Sequence, residues 1–171
     1  MKRYYILIAI VVIFGINFIG CSGCPYSFTG ASVPPHLKTL AIPFVEDKSG
    51  SGEANLRESF TRMITQKFID DNSLRVGERN SADAILECIV TGLSDAPQVI
   101  TSGENVSGRR VTLSVNVVYR DLVKKKLIYE KQFSNYGDYL SADGRDARTA
   151  AIQKAIEKIT DDILLDTISG W

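Results

Sequence analysis

The sequence has few of the residues on which most catalytic and metal chemistry depends. It contains one histidine and three cysteines in 171 residues. Because His36 follows two prolines in a segment typical of a tether, a Ser–His or Cys–His nucleophile pair is not expected. The phosphate-binding pattern G-x-x-x-x-G-K-[ST] is missing as well. We therefore expect that the protein is not an enzyme and holds neither a metal ion nor a cofactor.

Paired carboxylates are the remaining option for catalysis. Asp70-Asp71 and Asp161-Asp162 fall on the polar sides of predicted helices, where solvated charge is the simpler interpretation. Charge of neither sign is in excess, since Lys+Arg and Asp+Glu are 20 each. Loss of a leader that carries Lys2 and Arg3 would leave 18 positive against 20 negative side chains. This balance gives no support for nucleic acid as a partner.

The first twenty residues are apolar after a short basic start, which is the pattern of a secretory signal peptide. Residues 4–20 carry no charge. An uncleaved membrane anchor is the alternative, but a spanning helix takes about 20 apolar residues, and Asn17 weakens the far end of this run. We therefore assign residues 1–20 to a signal peptide.

The apolar run ends in two cysteines three residues apart, Cys21 and Cys24. The stretch Phe18-Ile19-Gly20-Cys21 resembles the lipobox of bacterial lipoproteins, in which a small residue precedes a cysteine that is lipidated and becomes the new N-terminus. Cys21 is the predicted lipidation site, and Cys24 is the alternative. A diacylglyceryl group would hold the protein on a membrane, because stable anchoring takes more than one acyl chain. Ser22, by resemblance to lipoprotein sorting in enterobacteria, indicates the outer membrane.

Other roles for this pair of cysteines find little support. A redox C-x-x-C lies between a strand and a helix N-terminus, whereas here an apolar run precedes and Pro25 follows. Zinc would need a second pair of ligands, and Cys88 is the one cysteine left. If Cys21 carries the lipid, Cys24 and Cys88 could form a disulfide in an oxidising periplasm.

The rest of the chain predicts a lipidated tether at residues 21–36 and a single domain at residues 37–171. The predicted elements are a strand at 37–47, an amphipathic helix at 53–71, a short strand at 74–78, a strand at 82–95, a strand hairpin at 109–135 and an amphipathic helix at 143–169. Strands with one apolar face and helices with one apolar stripe favour an α+β two-layer sandwich. We expect a mostly antiparallel four-stranded sheet with both helices packed on one face.

The predicted buried positions follow the periodicity of each element. The first strand places Leu40, Ile42 and Phe44 on one face. The predicted core positions are Leu56, Phe60, Met63, Ile64 and Phe68 of the first helix, Val111, Leu113, Val115, Val117 and Tyr119 of the hairpin, and Ala151, Ile152, Ala155, Ile156, Ile159 and Ile163 of the last helix.

Two features stand out as candidates for binding. The dense positive clusters are Arg109-Arg110 at a strand start and Lys124-Lys125-Lys126 at the hairpin turn. They are interpreted either as solvated charges or as an anion-binding patch. Residues 96–108 make a polar connection longer than a hairpin requires, and such loops are either mobile or used for binding.

The whole pattern resembles the LptE family of lipopolysaccharide-assembly lipoproteins, most closely its divergent branch outside the proteobacteria. The resemblance rests on the lipobox, on "YSFTGASVPPHLKTLAIPFVED", on a first helix ending "FIDDNSLRV", on the strand "ADAILECIVTGLSD", on the hairpin and on a last helix closing with "DTISGW". It implies a protein anchored at the periplasmic face of the outer membrane. Its partner would be the large β-barrel LptD, which family members plug and help to assemble.

The resemblance also implies binding of lipopolysaccharide on its way to the cell surface. From their charge and the anionic phosphates of that ligand, we infer that Arg109, Arg110, Lys124, Lys125 and Lys126 contact it. The competing hypothesis is an accessory periplasmic lipoprotein of another secretion or envelope-assembly complex. A third is a lipid-anchored enzyme with carboxylate chemistry.

Overall fold

The computed structural model describes residues 33–98 and 108–169, which lie in one compact unit, Ala31–Trp171. The predicted signal peptide, Cys21, Cys24 and most of the 96–108 connection lie outside the described residues. The elements are β1 (Thr39–Ala41), β2 (Glu46–Asp47), α1 (Leu56–Asp71), β3 (Arg75–Val76), β4 (Ala84–Gln98), β5 (Gly108–Asp121), β6 (Lys126–Leu140) and α2 (Gly144–Ser169), with a 3-10 turn at Ser141–Asp143 before α2.

The six strands form one mixed sheet. Its order is β3-β1-β4-β5-β6, and β2 also pairs with β4. The short strands run parallel to their partners, whereas β4, β5 and β6 are antiparallel. The α+β class and the mostly antiparallel sheet are thus confirmed. The prediction of four strands is wrong, because the segment at 37–47 forms two strands, β1 and β2, and the short strand predicted at 74–78 joins the same sheet as β3.

The predicted first strand is divided in two. β1 ends at Ala41 and β2 begins at Glu46, and Pro43 lies in the gap, where its ring nitrogen has no proton to donate to a ladder. The break reverses the expected alternation, because Val45 is buried while Phe44 is 54% exposed. The Phe44 ring instead lies under the guanidinium of Arg57, 4.9 Å from the ring centroid. The single alternation expected over residues 37–47 is therefore interrupted at Pro43.

The hairpin of β5 and β6 follows its prediction closely. The five apolar residues at odd positions of β5 are fully buried, and residues 122–125 form the turn. Lys125 adopts a left-handed backbone conformation in that turn, with φ of 54°. One face of these strands is therefore core, as alternation over many residues predicts.

Both helices bury the stripes expected of them, except that Met63 of α1 is only partly buried. α1 buries Leu56, Phe60, Ile64 and Phe68, and it ends at Asn72, which has a φ of 57° and donates its N–H to the carbonyl of Phe68. The six predicted apolar residues of α2 are all buried. Side chains of both helices join the odd positions of β5 in one hydrophobic core.

Two ion pairs between the helices show their relative direction. Glu53, just before α1, pairs with Arg148 at 2.7 Å, and Lys67 near the end of α1 pairs with Asp161 at 2.6 Å. The sequence offset between the partners is nearly the same in both pairs. α1 and α2 are therefore parallel neighbours, and their C-terminal ends lie at the same end of the sheet.

Candidate functional site

The five predicted basic residues do not form one patch. Arg109 and Arg110 lie at the start of β5, and the three lysines lie beyond its end. A strand rises about 3.4 Å per residue, so about 40 Å separates the two groups. The structure therefore brings together the members of each cluster and keeps the two clusters at opposite ends of the hairpin.

Arg109 belongs to a network of polar side chains whose members lie far apart in the chain and could not be paired from the sequence. Its Nε donates to Asp95 Oδ1 at 2.9 Å, and the Tyr139 hydroxyl donates to Asp95 Oδ2 at 2.7 Å. Arg148 of α2 donates to the same carboxylate at 3.0 Å and to Glu53 at 2.7 Å. The network joins β4, β5, β6 and α2, so Arg109 contributes to the cohesion of this end of the domain.

The carboxylate at the centre of that network is held ionised. Burial alone would raise the pKa of Asp95, but hydrogen bonds from Tyr139, Arg109 and Arg148 outweigh it and lower the pKa below its ordinary value. The charge of Arg109 is thus matched by a carboxylate within the protein. A ligand phosphate would have to compete with Asp95 for this guanidinium.

Arg110 is also paired, on the other face of the sheet. Its guanidinium forms two hydrogen bonds with the Asp138 carboxylate, at 2.6 and 2.9 Å, and lies 3.5 Å from the ring centroid of Tyr136. The bond from Arg110 lowers the pKa of Asp138, against an opposing effect of burial. Lys158 lies 4.5 Å from the same ring centroid. Two cations therefore share one exposed tyrosine ring.

The other cluster lies at the hairpin tip, which we define as residues 122–127. Lys124, Lys125 and Lys126 are all exposed. Lys125 and Lys126 line a recess of about 580 Å³ together with Leu122 and Leu127. Cationic groups and apolar side chains therefore share one surface, which is the chemistry needed to bind an amphiphilic anion.

A buried carboxylate fixes the shape of the hairpin tip. Asp121 is 5% exposed, and its Oδ1 accepts the backbone N–H of Lys124 at 2.7 Å. Its Oδ2 lies 2.7 Å from Nε2 of His36. Burial alone would raise the pKa of Asp121, but the hydrogen bonds from Lys124 and His36 outweigh it and lower the pKa. The sole histidine thus ties the segment before β1 to the hairpin.

The second face of the long strands is polar. We call it the outer face and define it by Thr112, Ser114 and Asn116 of β5 with Gln132, Ser134 and Tyr136 of β6. Its contacts are side-chain hydrogen bonds between strands, such as Ser114 to Ser134 and Asn116 to Glu130, each at 3.2 Å. Polar groups therefore cover the side of β5 opposite the core.

The remaining candidate reactive side chains, a cysteine and two aspartates, are buried or paired within the fold. Cys88 is buried in β4, and burial raises the pKa of its thiol to about 12. Asp161 pairs with Lys67, and Asp162 accepts a hydrogen bond from Asn135. Within residues 33–98 and 108–169, no three His, Cys, Asp or Glu side chains are grouped as a metal site would require. None of the helices in these two ranges is long and apolar enough to cross a membrane.

Several solved structures share this fold at low sequence identity. A Xanthomonas campestris protein has a TM-score of 0.59 at 13% identity, over 78% of this chain and 86% of its own. A hypothetical protein from Chlamydia trachomatis has a TM-score of 0.55 at 11% identity, over 75% and 96%. The rare lipoprotein B from Shewanella oneidensis has a TM-score of 0.54 at 16% identity, over 78% and 96%. No curated protein matches the sequence significantly.

These likenesses define the class first, a small α+β domain of a fold that bacterial lipoproteins use. The model of the lipopolysaccharide-assembly family, LptE, matches residues 37–167. The chain belongs to the LptE family, as its sequence pattern indicated. This is a non-enzymatic family of envelope lipoproteins.

Proposed function

We propose that the protein is an outer-membrane lipoprotein of the lipopolysaccharide transport machine. It is anchored at the periplasmic face through an acylated N-terminal cysteine, Cys21 or alternatively Cys24, and residues 37–171 form its working domain. The domain lodges in the lumen of an LptD-like β-barrel, helps that barrel to assemble and binds lipopolysaccharide.

The polar outer face carries the plug proposal. The long strands present serine, threonine and asparagine side chains on the face opposite the core, and hydrogen bonds such as Ser114 to Ser134 and Asn116 to Glu130 cross it. The lumen of a large outer-membrane barrel is lined by polar side chains and can hold a plug. Ser114 and Thr112 are partly buried between neighbouring strands, yet they still face outward to meet such a wall.

A cross-linker placed on this face tests the plug. A photoreactive residue at Ser114 should capture the LptD-like barrel in living cells, and the product should disappear when that barrel is depleted. The matched site is Val115, one residue on and fully buried, where capture of the barrel should be far weaker. Capture of a different envelope protein from Ser114 would favour the alternative, an accessory lipoprotein of another secretion or envelope-assembly complex.

For the glycolipid, the lysines at the hairpin tip are the stronger candidates among the five basic residues. Arg109 and Arg110 already have carboxylate partners at 2.9 and 2.6 Å, whereas the lysines are exposed and project from a turn. Replacement of Lys124, Lys125 and Lys126 by glutamine should weaken lipopolysaccharide binding several-fold. Replacement of Arg109 and Arg110 should have a smaller effect.

Binding by purified protein, measured at low and at physiological salt, separates these outcomes. Lys48, exposed and distant in the chain, provides the control substitution to glutamine. Salt should weaken binding of the native chain more than binding of the lysine-free variant, because the lysine contacts are electrostatic. Equal binding by the native chain and both cluster variants would show that these five residues are solvated surface charges.

A further inference from the structure

Three apolar side chains at the hairpin tip are exposed to solvent. Leu122, Val123 and Leu127 are 37%, 57% and 48% exposed. The outward positions of the neighbouring strands are mostly polar, so these three residues depart from the pattern of the surface around them. Grouped apolar side chains on a protein surface mark a site of contact with a partner or a membrane.

Cations surround these apolar groups. Three consecutive lysines separate Val123 from Leu127 in the sequence, and Arg120 lines the same recess as Leu122 and Leu127. Asp121, which precedes the tip in the chain, is buried and occupied by its own hydrogen bonds. An apolar centre with a basic rim fits the boundary between acyl chains and anionic headgroups.

The turn that presents these residues is held in a fixed shape. Besides the bond from Lys124 to Asp121, the N–H of Leu122 donates to the carbonyl of Asp83 at 2.8 Å. Lys125 sits in the left-handed region, which closes the turn. The turn therefore loses little conformational entropy when this surface binds a flat partner.

The chain that leads to the proposed lipid enters the domain at this same end. His36 contacts Asp121 beside the hairpin tip, and Lys38 and Thr39 donate their N–H groups to Asp83. Residues 21–35 can span at most about 50 Å when fully extended. An anchor on Cys21 would thus keep the hairpin tip within about 50 Å of the membrane.

We propose that the hairpin tip docks on the phospholipid leaflet that holds the anchor. Leu122, Val123 and Leu127 enter the region between headgroups and acyl chains, and the lysines contact anionic headgroups. The inference rests on the proposed lipid anchor. It gives the domain a fixed orientation, with the arginine network directed away from the leaflet.

Tryptophan depth measurements test this orientation. The sequence has one tryptophan, Trp171, so Trp171→Phe provides a silent background. Val123→Trp places a reporter at the hairpin tip, and Ser94→Trp places a matched reporter at an exposed position of β4 toward the other end. The mature lipidated proteins are reconstituted into vesicles of phosphatidylethanolamine and phosphatidylglycerol, with and without brominated acyl chains.

The Val123→Trp reporter should emit at shorter wavelength in vesicles and be quenched several-fold more strongly by brominated chains than the Ser94→Trp reporter. Replacement of the three lysines by glutamine should reduce that quenching. Equal quenching of the two reporters would overturn the proposal. These vesicles contain no lipopolysaccharide, so quenching in them measures the phospholipid contact separately from the glycolipid binding proposed above for the same lysines.

Mass spectrometry of the same samples keeps this test separate from the test of the anchor. A chain without lipid on Cys21 or Cys24 contradicts the anchor and this inference together. A lipidated chain whose tip reporter stays in water contradicts this inference alone and leaves the proposed function in place.

Discussion

Gly137 allows β6 to lie directly against α2. A Cβ atom at this position would lie 2.1 Å from the carbonyl oxygen of Ala151, well inside van der Waals contact. The neighbour is helix backbone, which cannot move aside as a flexible side chain could. The glycine is therefore required by packing between sheet and helix.

We predict that Gly137→Ala destabilises the domain by about 1–3 kcal/mol, because the methyl group forces strand and helix apart. Urea unfolding of the mature chain, followed by circular dichroism, measures the change. Gly92→Ala is the matched control, since its new Cβ would meet its nearest neighbour at 3.9 Å. Equal stability of the two variants would show that the helix can shift without loss.

Asp121 makes the domain sensitive to acid. Its pKa is lowered in the folded state from the ordinary value of 3.8, so its ionised form contributes stability that is present above that value. This contribution is lost as pH falls through the lowered pKa. We expect the urea midpoint to fall steeply below about pH 4, and less steeply in Asp121→Asn. Parallel pH profiles for the two proteins would contradict this role of Asp121.

Among the elements, α2 contributes most plainly through its apolar stripe. Ile156 is fully buried, whereas Leu165 on the same helix is 58% exposed. Ile156→Ala should lower the free energy of unfolding by about 2–5 kcal/mol, since it leaves a cavity in the core. Leu165→Ala should change it by no more than about 0.5 kcal/mol. Urea unfolding distinguishes the two, and similar losses would mean that Leu165 is also packed.

The long elements could be predicted because their patterns repeat. Five alternating apolar residues define the face of β5, and stripes at helical spacing define α1 and α2. Of the short parallel strands, β3 lies within the strand predicted at 74–78, whereas the division of residues 37–47 into β1 and β2 could not be predicted. β2 and β3 contain two residues each, and pairing with β4 and β1 fixes them.

The candidate site was predictable only in part. The sequence identifies the basic residues but not the carboxylates that pair with them, because the partners are far apart in the chain. Arg148, for example, donates to Asp95, which lies 53 positions away. Likewise, nothing local indicates that His36 reaches Asp121, 85 positions away. Such partners can be identified only when the strand register is known. The register pairs Arg109 with Asp95 and Arg110 with Asp138.

For the molecule as a whole, the two ends of the long hairpin have different chemistry. One end holds paired charges that join sheet and helix, and the other carries free lysines, exposed apolar groups and the entry of the N-terminal chain. Between them lies the polar outer face. This arrangement suits a tethered domain that meets lipid at one end and a polar wall along one side.

The central proposal is that the protein binds an LptD-like β-barrel. The protein, tagged at its C-terminus and purified from outer membranes in mild detergent, should bring with it an LptD-like β-barrel in a near-equal amount. Recovery of a different barrel in that amount, or of no barrel at all, would contradict the account.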